Sequence, residues 1–540
     1  MEMEIKGKKV TVVGLGRSGV GASNLLAEIG AEVTITDSKT EKELKDFITR
    51  LNPSVRLALG GHPENIFLSA DMVVISPGVP LDSKPILYAK EKGIPIIGEL
   101  ELAYQVVSSH PPQAESAVSP PTHPSPSRGE GEGGGENSEL RTTDFELKSS
   151  PYFLAITGSN GKSTTTALLD FMMRKGGFRT ILGGNIGNAL TEEINKRLRE
   201  SVNRRISEET VSPLNRFTIS DIGIDYIVAE VSSFQLESIE DFKPKGAAIL
   251  NITPDHLDRY HSLEEYRDAK ARIIENQNED DFLVLNADDP ETVNVVSEKL
   301  KVKSKKPRIF YFSRKKEVEG IYFKEGIIYC NLPPMTGTVP ILPPLAGKSG
   351  TVPSCSSLIH VDEIRIKGVH NLENAMAASA MALLAGCPAD AVGESLKEFQ
   401  GLEHRLEFVR EIDGVRYFND SKGTNVGAVI KSLESFTEPI ILIAGGRDKA
   451  GEFSLLRNLV KERVKAVVLI GEAAEKIKKA LGDITETFMA EDLKESVALS
   501  RSLAVRGDVV LLSPSCASFD MFMDFEDRGR QFKKIVMEMT

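Results

Sequence analysis

"YFLAITGSNGKSTTTALLDFMM", residues 152 to 173, has the order of a phosphate-binding loop: an apolar strand, the turn Gly-Ser-Asn-Gly-Lys-Ser, then an amphipathic helix. Gly158 and Gly161 let the backbone turn its N–H groups inward, Lys162 can reach the β- and γ-phosphates, and the Ser163 hydroxyl can be placed on Mg²⁺. The first glycine of the usual GxxxxGK[ST] pattern is missing, and Ile156 stands in its place. The departure touches only the entrance of the loop, so a nucleotide site is expected here.

Blocks of alternating strand and helix patterns lie on both sides of this loop. KKVTVVGLG, AEVTITD, DMVVISPGVP and IPIIGELELA make up the first. YFLAI, YIVAE, AAILN and FLVLN belong to the second, and VRYFNDSKGTN, IILIAGGRDK, AVVLIGEAAEKI and VVLLSPSCASF to the third. Such alternation implies parallel sheets, hence an α/β protein of three domains with mainly parallel sheets. The expected bounds are 1–103, 151–401 and 402–540. The first and last are Rossmann-like, and the middle one is a phosphate-loop ATPase domain.

At 540 residues and 41% apolar content, the chain has enough material for a core in each block. A net charge of −12 argues against a nucleic-acid partner. The cysteines Cys330, Cys355, Cys387 and Cys516 form neither a CxxC pair nor a framework, which fits a reducing compartment. With no signal-like or membrane-length apolar run, a cytoplasmic monomer acting on small molecules is expected. The stretch 108–150 is crowded with Pro, Ser, Gly and Glu and is expected to be a disordered insertion. Residues 331–360, with TGTVP and SGTVP as near repeats, and the polar run 198–223 are expected to be two further insertions.

Gly14 to Gly19 read GLGRSG after a strand, and Asp37 closes the next strand. The pattern suits any diphosphate at a helix N-terminus, a dinucleotide being one candidate. Glu230 ends the strand YIVAE, where a carboxylate would face a metal ion. His256 in NITPDHLDRY and Lys270 in YRDAK would each pass singly for a solvated side chain.

Read in order, TGSNGKST, AEVSSFQLE, NITPDHLDRY, YRDAK, GVHNLENAMAA, GLEHRLE, YFNDSKGTN, AGGRDK and SPSCASFDMFMDFEDRGRQF resemble the Mur ligase family, over nearly the whole chain apart from the insertions. The last run and SSFQL look most like the members that add D-glutamate to UDP-N-acetylmuramoyl-L-alanine. The resemblance implies an ATP-dependent amide ligase with two Mg²⁺ sites. It implies an ATP site at Gly158, Ser159, Asn160, Gly161, Lys162, Ser163, Thr164, Asn371, Asn374, Arg405 and Asp420. Lys162, Glu230, His256, Lys270 and Lys422 become catalytic. Ser163, Glu230, His256 and a carbamylated Lys270 become metal ligands. Thr424, Lys449, Ser518 and Phe525 would form the D-glutamate pocket. Gly16, Arg17, Ser18, Asp37, Ser38, Lys39, Ser76, Pro77, Gly78 and Asn185 would contact the UDP-sugar substrate. Other members of the superfamily, such as the diamino-acid adding enzymes and folylpolyglutamate synthase, remain alternatives, although no DNPR-like signature favours them. A remoter one is an NAD-dependent oxidoreductase built on GLGRSG, which leaves the second and third blocks unexplained.

Overall fold

The computed structural model describes residues 5–108, 150–207, 223–255, 259–333, 356–448 and 451–539. The proposed insertions at 108–150 and 331–360 therefore lie largely outside the described residues, as do His256 and Lys449. Of the run 198–223, the first ten residues continue the helix Leu190–Ser207.

The chain forms two compact units. One comprises Met1–Tyr152, Asn188–Ile227 and Ser238–Phe242, and the other Phe153–Gly187, Val228–Glu237 and Lys243–Thr540. Three sheets run through them, as the three blocks imply.

The first sheet has five parallel strands in the order Arg56–Leu59, Glu32–Asp37, Lys9–Val13, Met72–Ile75, Ile96–Gly98. Lys9–Val13 is the central strand, with Val10, Val12 and Val13 all buried, as a strand covered on both faces requires. The glycines of GLGRSG act here by close approach. A Cβ on Gly19 would stand 1.9 Å from the Gly14 carbonyl oxygen. Ser76 Oγ donates to that oxygen at 2.9 Å, and Asp37 accepts from the Leu15 amide at 2.7 Å and the Lys39 amide at 2.9 Å. Helix Glu99–Ser108 starts with two buried acids of the same unit. Glu99 accepts from the amide and hydroxyl of Thr191, and Glu101 accepts from the amides of Glu240, Asp241 and Phe242.

The nine-stranded second sheet places Tyr152–Thr157 between Gly246–Ile249 and Tyr226–Glu230. Tyr152–Thr157 and Gly246–Ile249 pair in parallel, with Ile156 opposite Ala248. Ile156 is fully buried there. The position that is glycine in the usual pattern is thus an interior strand residue, and the tight turn starts only at Gly158. Helix Lys162–Lys175 follows, packed on helix Val369–Leu384. The six-stranded third sheet centres on Val415–Asn419, Val509–Leu512 and Ile440–Gly445, parallel to one another, with Glu407–Ile412 antiparallel at one edge. Each of these parallel strands delivers a loop at its C-terminal end, where ligands of open α/β sheets bind. Among the described residues no helix is long and apolar enough to cross a membrane.

Candidate active site

The loop after Tyr152–Thr157 is shaped by two glycines with positive φ, Gly158 at 150° and Gly161 at 84°. The backbone angle favours glycine at Gly161, and a Cβ there would stand 2.2 Å from Asn374 Oδ1, so a larger residue would also have to displace the Asn374 carboxamide. The loop is clasped from the side by Asn251, which accepts from the Asn160 amide at 2.8 Å and donates to the Asn160 carbonyl at 3.0 Å. Ser159 Oγ accepts from the Thr253 amide and donates to the Thr253 carbonyl, both at 2.9 Å. Asn251 and Thr253 were not among the sequence candidates. Their signal was an asparagine placed immediately after the apolar strand AAIL.

Two lysines meet at one oxygen. Lys162 Nζ donates to the Gly158 carbonyl at 2.9 Å and to the Ser159 carbonyl at 2.9 Å, and Lys270 Nζ donates to the same Gly158 carbonyl at 2.9 Å. Lys270 is 1% exposed, on helix Leu263–Ala271, with Nζ 4.4 Å from the centre of the Tyr266 ring one turn earlier. Burial, followed by the neighbouring Lys162 charge, pushes the Lys270 ammonium well below the ordinary lysine range, against the pull of Asp255 and Glu230. Both effects favour the neutral amine of Lys270 over its ammonium. Burial also lowers Lys162, opposed chiefly by Glu230.

Glu230 is 2% exposed at the end of its strand. Its Oε1 accepts from Asn185 Nδ2 at 2.8 Å, while its Oε2 is buried with no hydrogen-bond partner. A buried carboxylate oxygen left open beside a phosphate loop is what a divalent cation would satisfy. Ser163 Oγ accepts from Arg405 Nη2 at 2.8 Å, joining the loop to the start of the third sheet. Among the described residues no group of three or more His, Cys, Asp and Glu side chains could hold a metal. Such a set counts neither a serine hydroxyl, a modified lysine, nor His256.

A cavity of about 430 Å³ opens from the loop and is lined by Asn160, Gly161, Thr164, Asn371, Asn374, Arg405, Asp420 and Lys422. These predicted residues come together from two sheets. The same cavity also takes in Asp288, Arg314, His370 and Lys431, which sequence reasoning missed, because single polar residues on separate turns and helices carry no spacing signal. Asn374 accepts from Thr165 Oγ1 and donates to Asn371 Oδ1, both at 3.2 Å.

Asp420 is 6% exposed, and burial pushes its carboxyl up to about 6, against the hydroxyls of Ser432 and Ser513 and the Leu406 amide, which donate to it. A folded-state value above the unfolded one, 3.8, means stability that is present below about pH 4 and lost as pH rises through about 6. At 1.36 kcal/mol per unit the loss is about 3 kcal/mol. The melting temperature of wild type minus that of Asp420→Asn should therefore fall by several degrees between pH 4 and pH 7. A difference that stays flat over that range would show that the carboxyl is not raised.

The third sheet gathers the remaining candidates. Lys422 Nζ lies 3.6 Å from the centre of the Phe525 ring, and Ser421 Oγ donates to the Phe525 carbonyl at 2.8 Å. Ser518 is buried in the loop after Val509–Leu512, and Thr424 follows Lys422 in its own turn. Arg528, absent from the sequence candidates, is fully buried and ties these loops together by donating to the Ser421 hydroxyl and carbonyl and to the carbonyls of Cys516 and Ala517. Of the residues expected at the UDP-sugar substrate, Gly16 to Ser18, Asp37 to Lys39 and Ser76 to Gly78 cluster at strand ends of the first sheet, whereas Asn185 belongs to the other unit, on Glu230.

The fold and this loop define an α/β protein of three mainly parallel sheets with a phosphate-binding turn at the centre. Three family patterns match it in order: the MurD-like N-terminal domain over residues 8–98, the Mur ligase middle domain over 156–382, and the Mur ligase glutamate ligase domain over 404–516. A protein of Geotalea daltonii named UDP-N-acetylmuramoylalanine--D-glutamate ligase is 41% identical over 100% of this chain and 99% of its own length. One of the same name from Caldanaerobacter subterraneus is 39% identical over 99% of this chain and 100% of its own. Solved structures share the fold at low identity. The UDP-N-acetylmuramate-alanine ligase of Thermotoga maritima superposes with a TM-score of 0.53 at 17% identity, covering 98% of this chain and 99% of its own. MurF of Acinetobacter baumannii gives 0.54 at 14%, covering 97% and 93%. The chain belongs to the Mur ligase family.

Proposed function

We propose that this chain joins D-glutamate to UDP-N-acetylmuramoyl-L-alanine with ATP, by way of an acyl phosphate, in the cytoplasmic synthesis of a peptidoglycan precursor. The observation that carries the reading is the meeting of Lys162 and Lys270 on the Gly158 carbonyl beside the open oxygen of Glu230, in a chain whose full-length relatives bear that ligase name. A carboxylate is a poor electrophile, so the γ-phosphoryl group goes first to the alanyl carboxylate. The amine of D-glutamate then displaces phosphate. Such transfer asks for positioning and charge neutralisation rather than a protein nucleophile.

In this scheme residues 1–103 hold the UDP group, 151–401 hold ATP, and 402–540 hold D-glutamate and part of ATP. Lys162 and the backbone of Gly158 to Thr164 hold the phosphates. Asn371, Asn374, Arg405 and Asp420 surround the nucleoside, and Lys422 faces the transferred phosphoryl group. Thr424, Lys449, Ser518 and Phe525 take D-glutamate. The neutral Lys270 amine adds CO₂ and releases a proton, becoming a carbamate whose oxygens, with His256, suit a second Mg²⁺. Ser163 and Glu230 suit the first. Bound there, the ions supply charge neutralisation on the phosphates. The protein acts as a monomer on small molecules, with no nucleic acid.

Phosphate release from ATP, measured with UDP-N-acetylmuramoyl-L-alanine across a panel of amino acids, tests the reading. D-Glutamate should be the amino acid that triggers release. Release with a diamino acid instead, or with none of the panel, would exclude this assignment.

A further inference from the structure

The cavity has a phosphate end at Gly161 and runs along the start of helix Val369–Leu384. Asn374 touches the loop, Asn371 lies one turn back with its amide shared between Asn374 and the Lys367 carbonyl, and His370 comes next. Gly368, at φ 100°, precedes them; a Cβ there would stand 2.9 Å from Ser435 Oγ and 3.2 Å from His370 Cε1. The glycine thus allows the imidazole to meet Ser435.

The hydrogen-bond pattern around that contact assigns the tautomer. Ser435 Oγ donates to the Lys431 carbonyl at 2.8 Å. A serine hydroxyl has one proton. With that proton on the Lys431 carbonyl, the 3.1 Å contact between Ser435 Oγ and His370 Nδ1 is assigned as donated by the ring. The neutral imidazole carries its proton on Nδ1, and Nε2 is a hydrogen-bond acceptor. Burial, then the Lys431 charge, with Arg405 adding and Glu434 opposing, brings the ring down to about 4, so it stays neutral at physiological pH. Two other polar groups of the cavity wall are engaged by neighbours: Asp288 accepts from Ser313 Oγ and the Arg314 amide, and Arg314 donates to Glu373.

We propose that His370 reads the nucleotide base, its Nε2 accepting a hydrogen bond from the 6-amino group of adenine and disfavouring a 6-oxo purine. Adenine presents a donor at that edge, and a 6-oxo base presents an acceptor. Two acceptors facing each other leave both unpaired on leaving water. The inference rests on the reading of ATP as the substrate and adds which base the site selects and how.

The test is calorimetric binding of Mg²⁺-ATP and Mg²⁺-ITP to the full chain, since inosine differs from adenosine in carrying the 6-oxo group. Wild type should bind ATP at least about tenfold more tightly than ITP. The ratio should fall towards one in His370→Leu. In Ser435→Ala it should fall several-fold, because the freed ring can move its proton to Nε2 and donate to a 6-oxo oxygen. Should His370→Leu fail to fold, Ser435→Ala decides alone. An unchanged ratio in a folded variant, or a wild-type ratio near one, would overturn the reading of the base while leaving ATP as substrate. Folded wild type that binds neither triphosphate would overturn the nucleotide site itself, and base selection with it.

Discussion

Lys270→Ala should lose about a hundred- to a thousandfold in ligase rate, the range for one preorganised electrostatic group, and recover part of it when acetate or another short carboxylate is supplied. The side chain is buried against Tyr266 and the Gly158 carbonyl, so its removal leaves an enclosed space beside Glu230. A small free acid could bring oxygens into that space, as the carbamate does in the proposed function, whereas an added amine brings only a positive charge next to Lys162. Rate measured against carboxylate concentration at neutral pH, with the melting temperature followed alongside, separates the two. Rescue by amines and not by acids would make Lys270 an ammonium and remove it from the metal site.

Lys162→Ala should fall by about a hundredfold or more in turnover while the protein without nucleotide melts near the wild-type temperature. The ammonium now sits on two carbonyls of its own loop, under a burial penalty that lowers its protonation. Removing it takes away hydrogen bonds and that penalty together, so the two effects oppose. The rise in melting temperature on adding Mg²⁺-ATP should shrink sharply, because stabilisation by a ligand follows its affinity for the folded state. A variant that keeps more than about a tenth of the rate, or the whole nucleotide-induced rise, would place the phosphates elsewhere.

Much of the molecule was written locally. Strand, turn and helix around TGSNGKS follow from apolar alternation, two glycines and a helix start. The three α/β blocks follow from the same periodicities, and the sheets observed are those blocks in order. The family, too, lay in the succession of short motifs and was confirmed by the full-length relatives. These features depend on neighbours a few residues apart, which is the range over which backbone angles and side-chain periodicity act.

Only the tertiary structure decided which groups share an atom. Ile156 became a strand interior residue because it pairs opposite Ala248, well along the chain. Lys162 and Lys270 converge on one carbonyl although 108 positions separate them, and burial first, then the Lys162 charge, pushes the Lys270 ammonium well below the ordinary lysine range. Arg405 reaches Ser163 from the start of the third sheet, Arg528 joins two loops of that sheet, and Ser435 meets Nδ1 of His370. Pattern could nominate a lysine or an arginine, but burial and shared hydrogen-bond partners depend on strand order and helix packing, which bring distant segments to one sheet edge. The residue types were therefore legible in the sequence, while their protonation and partners came from the fold.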